Sequence, residues 1–180
     1  MAGQSRRDRR RQRERSTVLR RACESRLAVL GLSDEPDIAR LTERISGHRG
    51  RPILLVPVEM RAFDPYGLWF ATVDTDFICY EANTSKHHQE HIIAHELGHM
   101  ICCHRGVVRP DDETMNLLFP DLSPDLIRDL LRRTGYSDVE EEEAEIMASL
   151  IKAIAANHAV SSPPGVLGGL ESALGFHRHW

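Results

Sequence analysis

The stretch that most constrains this chain is His95-Glu96-Leu97-Gly98-His99, which reads H-E-x-x-H. Around it Ile92, Ile93, Leu97, Met100 and Ile101 recur at helical spacing. On a helix, residues i and i+4 stand one turn apart on one face, so both imidazoles can reach a single cation. Zinc suits that pair: it accepts neutral imidazole, tolerates a low coordination number and leaves a position open for water. Glu96 stands about 100° around the helix from His95, where it faces that water rather than ligating. Zinc lowers the pKa of such a water from about 15.7 toward roughly 7, and an adjacent carboxylate can take the proton as water attacks a carbonyl. The pattern points to hydrolysis.

The flanks support a helix. Asn83-Thr84-Ser85 supplies N-cap residues and Gly106 can close the C-terminus. His87, His88 and His91 read as a polar first turn. His104 does not extend the motif, because H-E-x-x-H-x-x-G-x-x-H needs Gly at 102 and His at 105, where Cys102 and Arg105 stand. A third metal ligand must come from elsewhere.

A second helix can deliver it as a carboxylate, completing two His, one Glu and water. Ser137-Asp138-Val139-Glu140 opens the last long helix with a capping box, which occupies Glu140. Ala144, Ala148, Ile151 and Ala155 form an inward row whose small residues permit close helix approach, and Glu141 extends it. Glu143 continues an adjacent inward row with Met147, Leu150 and Ile154. Glu142, Glu145, Ser149 and Lys152 read as the solvated face. Glu141 is the expected ligand and Glu143 the second choice.

The remaining chain sorts into one domain with two loose ends. Residues 1–26 hold ten Arg against Asp8, Glu14 and Glu24, a local +7 within a net −4, which leaves −11 for the rest. Residues 1–16 are expected to be a disordered Arg-rich arm, with nucleic acid as a conceivable partner for its charge. Residues 17–160 are expected to form the domain, and 161–180 a flexible tail. Helices are expected over Thr17–Leu30, closed by Gly31, and from Ser33-Asp34-Glu35-Pro36 to Gly47. Pro52–Val58 reads as a largely buried strand. Asp64-Pro65-Tyr66-Gly67 leads into a strand from Leu68 to Val73, Asp74-Thr75-Asp76 turns, and Phe77–Tyr80 returns beside the metal helix. Residues 107–122 read as loop with a helical turn at Met115–Leu118, and Pro124 opens a helix stopped by Gly135. No apolar run approaches the roughly 20 residues that span a bilayer, and the basic N-terminus lacks an apolar signal core. A cytoplasmic location is expected, with Cys23, Cys79, Cys102 and Cys103 as reduced thiols.

Glu141-x-Glu143-Ala144-Glu145-x-Met147-Ala148, some forty residues after His95-Glu96-Leu97-Gly98-His99, resembles the ImmA/IrrE metallopeptidase family. Its pattern is H-E-x-G-H, often with a further His five residues on (here His104), followed by E-x-E-A-N-x-F-A. The resemblance covers roughly residues 50–155; Glu145 stands where Asn is usual and Met147 where Phe is usual. It implies an α+β, zincin-like domain: a small sheet packed on the H-E-x-x-H helix, with further helices C-terminal to it. It also implies a partner, because members typically accompany a helix-turn-helix repressor and cleave it. The expected activity is that of a zinc endopeptidase, with Glu96 as general base and His95, His99 and Glu141 on the metal. His104, Tyr136 and His158 are candidate donors to the oxyanion. The competing reading is a non-catalytic, metal-stabilised regulator that binds a repressor or DNA.

Overall fold

Apolar residues at helical spacing on one side of the chain and alternating strands on the other give a small α+β arrangement. The structure, a computed structural model, describes residues 2–35, 37–59, 67–72, 74–104 and 136–161. The expected loop at 107–122, the helix from Pro124 to Gly135, the turn at Asp64-Pro65-Tyr66 and the tail beyond Ser161 lie outside the described residues. Among the described residues there are four helices and a three-stranded mixed sheet, and the sheet packs chiefly on one of the helices. None of these helices is long and apolar enough to cross a membrane.

Helix α1 runs from Ala2 to Val29 without interruption, which corrects the expected disordered arm over 1–16. Two forces account for it. Arg10–Glu14 (2.8 Å) and Arg20–Glu24 (3.0 Å) form i,i+4 pairs along the helix. The segment also has a tertiary anchor: Ser16 Oγ and Gln12 Nε2 donate to Glu142 at 2.6 and 3.2 Å, and Arg15 pairs with it at 3.1 Å. Glu142 is therefore a docking point for α1 and not part of a purely solvated face. The chain leaves α1 through Gly31 in the left-handed region (φ 65°).

Helix α2 (Ile38–Arg49) starts at Asp37, whose side chain accepts from the Arg40 N–H, and ends at left-handed Gly50. Gly47, expected to end it, lies inside it. Its Ile38, Leu41 and Ile45 join Cys23 and Leu27 of α1 in the core.

The sheet has the order β1-β3-β2. Strand β1 (Ile53–Val58) pairs parallel with β3 (Asp76–Glu81), and β2 (Gly67–Ala71) pairs antiparallel with β3, Trp69 opposite Ile78. The β2–β3 hairpin is as expected. β1 is not the largely buried strand its composition suggests: as an edge strand it leaves Leu54 45% exposed and tolerates Pro57, which has no N–H to pair. Asp76, expected in a turn, begins the central strand and is fully buried.

Helix α3 (Lys86–Ile101) is capped by Ser85, whose hydroxyl accepts from the His88 N–H. It packs beneath the sheet and against helix α4 (Asp138–Ser161). Leu97, Met100, Met147, Ala148 and Ile151 fill the space between the two helices and the rest of the core.

Candidate metal centre

The residues expected to bind metal meet where α3 crosses α4. His95 Nε2 and His99 Nε2 are 3.1 Å apart. Glu141 of α4 brings Oε2 to 3.3 Å from His95 Nε2 and Oε1 to 3.9 Å from His99 Nε2. All three donors lie within 4.8 Å of one another. Two ligands held about 2.0–2.1 Å from zinc in a tetrahedron are separated by roughly 3.3 Å, so the set fits a four-coordinate ion with one position left over. His99 is 1% exposed, and burial, then the neighbouring His95 and His104, push its pKa down to about 3. It therefore offers a neutral ring, as a ligand must.

Close approach of the two helices makes this possible. A Cβ built on Gly98 would stand 2.9 Å from the Ala144 carbonyl oxygen and 3.2 Å from Ala144 Cα. Glycine in the motif lets α4 settle against α3, and Glu141, one turn before Ala144, then lies opposite both histidines. That role was not read from the sequence; the glycine inside H-E-x-G-H was the available signal.

Glu96 is 6% exposed. Burial, reinforced by the charge of Glu141 and opposed by a hydrogen bond from the Trp69 N–H, pushes its pKa up to about 8. Gly67, the first residue of edge strand β2, adjoins it: a Cβ there would come within 2.7 Å of Glu96 Oε1 and 2.5 Å of Ile92 Cγ2. The carboxyl thus sits between the metal helix and the edge strand.

Glu143, the second-choice ligand, faces elsewhere. Its Oε2 lies 3.0 Å from His104 Nε2, and its Oε1 accepts a hydrogen bond from Arg26 of α1. Burial works to raise the Glu143 carboxyl, but hydrogen bonds from His104 and Arg26 outweigh it and hold the group below its usual range. His104 in turn places Nδ1 2.9 Å from His99 Nδ1. Glu145, read as solvated, lies 3.5 Å from His95 Nδ1 and 3.3 Å from His91 Nε2, so it backs the His95 ring on the side away from Glu141 and His99.

The three candidate oxyanion donors separate clearly. His104 is tied to His99 and Glu143 and faces away from the metal position. His158 lies seventeen residues beyond Glu141 on α4, about 25 Å along the axis, beside Ser33, Asp34 and Asn157. Tyr136 stacks on the His99 ring, centroids 3.7 Å apart. Its buried hydroxyl has no hydrogen-bond partner among the described residues. Burial, with the charges of Glu96 and Glu141, raises its pKa further.

Comparisons with protein-family models, curated proteins and solved structures found no match. The geometry of these side chains is what carries a functional argument.

Proposed function

We propose that this chain is a zinc-dependent endopeptidase acting on a partner regulatory protein of the helix-turn-helix repressor type. The observation that carries this reading is the convergence of His95, His99 and Glu141 beside the buried carboxyl of Glu96. His95, His99 and Glu141 would hold the zinc. When bound there, the ion supplies Lewis-acid polarisation of a carbonyl and acidifies water. Glu96 is the general base: it is the buried acidic residue that follows His95 in the chain and feels the charge of Glu141, and it can move a proton from water to the leaving amine. The edge strand β2, with Gly67 against Glu96, offers backbone for an extended substrate to add to the sheet. Tyr136, with its hydroxyl unpartnered among the described residues, is the group we assign to donate to the developing oxyanion. The repressor as target rests on the resemblance to the ImmA/IrrE family alone.

The test is Glu96→Gln in the full chain, co-expressed with a small helix-turn-helix protein encoded beside it. The variant should keep one zinc per chain and lose cleavage of that partner. Unchanged regulatory output with cleavage abolished would favour the non-catalytic, repressor-binding reading. A wild-type chain that takes up no zinc would end both.

A further inference from the structure

The structure assigns His104 and Glu143, backed by Arg26, a positioning role: they dictate which ring nitrogen of His99 carries its proton, leaving Nε2 bare toward the metal position. The consequence for metal binding rests on the reading of that site above; the premise does not.

Arg26 of α1 clasps Glu143 Oε1, so this carboxylate is ionised and can only accept hydrogen bonds. Its other oxygen lies 3.0 Å from His104 Nε2. A bare nitrogen there would set lone pair against carboxylate, so His104 carries its proton on Nε2. A neutral His104 then has a bare Nδ1. That atom lies 2.9 Å from His99 Nδ1, and one of the two must donate. His99 Nδ1 therefore bears the proton. The last step follows from the single proton of a neutral imidazole: His99 Nε2 is a free lone pair, 3.1 Å from His95 Nε2.

The chain of bonds runs inward from a guanidinium on α1 through a carboxylate on α4 to the His104 ring in the turn after α3 and the His99 ring on α3. His99 is 1% exposed and the His104 side chain 5%, so water does not compete for these positions. Tyr136 covers the His99 face and holds the ring in plane. A metal-binding imidazole whose other N–H is held this way is oriented and made more basic, and loss of such support typically costs about 10–100-fold in metal affinity. α1 lies outside the part of the chain that resembles a metallopeptidase, yet through Arg26 it reaches the metal position.

The experiment is ring-nitrogen NMR on the metal-free full chain at pH 8, with zinc affinity measured in parallel by chelator competition. In the wild type, His99 should be protonated at Nδ1 and His104 at Nε2. In Glu143→Gln the amide oxygen faces Arg26, so its NH2 faces His104 Nε2; both rings should reverse and zinc affinity should fall about 10–100-fold. Wild-type rings with His99 protonated at Nε2 overturn the inference, and this result needs no variant to fold. So does a folded Glu143→Gln chain with unchanged tautomers and unchanged zinc affinity. A wild-type chain with the expected tautomers that binds no zinc upholds the relay and removes the metallopeptidase reading instead.

Discussion

Gly98 of α3 lies so close to Ala144 of α4 that a methyl on Gly98 would stand 2.9 Å from the Ala144 carbonyl oxygen. Alanine is better than glycine by about 1 kcal/mol in a helix interior, whereas forcing a methyl into packed backbone costs about 1–3 kcal/mol. Gly98→Ala should therefore lower stability and, by separating α3 from α4, weaken zinc binding. Gly47 supplies the control, since a Cβ there meets nothing within 4 Å inside α2. Gly47→Ala should stabilise by roughly 0.5–1 kcal/mol. Thermal unfolding and zinc titration of the pair check both signs; equal shifts in the two variants would mean the helix contact is not tight.

The pH dependence of the metal-free chain follows from two buried groups. Glu96 has its folded pKa raised to about 8 from 4.5, so its contribution is full below pH 4.5 and is lost as pH rises through 8. His99 has its folded pKa lowered to about 3 from 6.5, so its contribution is present above pH 6.5 and is lost as pH falls through 3. Glu96→Gln removes only the first limb. Between pH 5 and 9 the wild type should lose on the order of 4 kcal/mol relative to that variant, at 1.36 kcal/mol per pKa unit. Denaturant titrations with chelator at pH 5, 7 and 9 measure this, and curves that stay parallel would contradict it. Adding zinc should flatten the alkaline limb, because a nearby cation favours the ionised carboxylate.

The parts of the site that follow local rules were legible in advance. Histidines at i and i+4 must share a helix face, and Glu141 prolongs the Ala144–Ala148 row on the helix that meets them. What was illegible depends on distant partners. The charge run of α1 shows nothing about Glu142, some 126 residues away from Ser16, which holds the helix in place. Asp74-Thr75-Asp76 has turn composition, yet Asp76 is buried by arginines far back in the chain. Glu143 presents the same inward periodicity as a ligand, and only Arg26 and His104 tell it apart from Glu141.

Asp76 is the next place to test. It is fully buried, and it receives Arg49 Nε at 2.7 Å, Trp69 Nε1 at 3.1 Å and an ion pair from Arg51 at 3.3 Å. Removing the acid leaves two guanidinium groups without it, and breaking a buried pair in this way costs about 3–5 kcal/mol. Asp76→Ala should lose that much, measured by urea unfolding. Asp76→Asn keeps an acceptor for Trp69 and should lose less. Because β2 and β3 share this anchor and β2 abuts Glu96, the alanine variant should also lose activity at temperatures where it is still folded.

The end of α3 gives the last prediction. Gly106 was the expected terminator, but the helix stops at Ile101 and Cys103 takes the left-handed conformation at φ 59°. Cys103 N–H bonds back to the Met100 carbonyl at 3.2 Å, and His104 N–H to the His99 carbonyl at 3.0 Å. These are the two bonds of a Schellman turn, which glycine usually closes. A side chain at that position costs about 1–2 kcal/mol in steric strain, and glycine avoids it while giving back part of the gain in unfolded-chain entropy. Cys103 is exposed, so little packing is lost. Cys103→Gly should therefore raise stability by about 0.5–1 kcal/mol and leave zinc affinity unchanged, because the turn still folds His104 back under His99. A stabilised variant with weakened zinc binding would mean that the thiol, and not the turn, holds His104 in position.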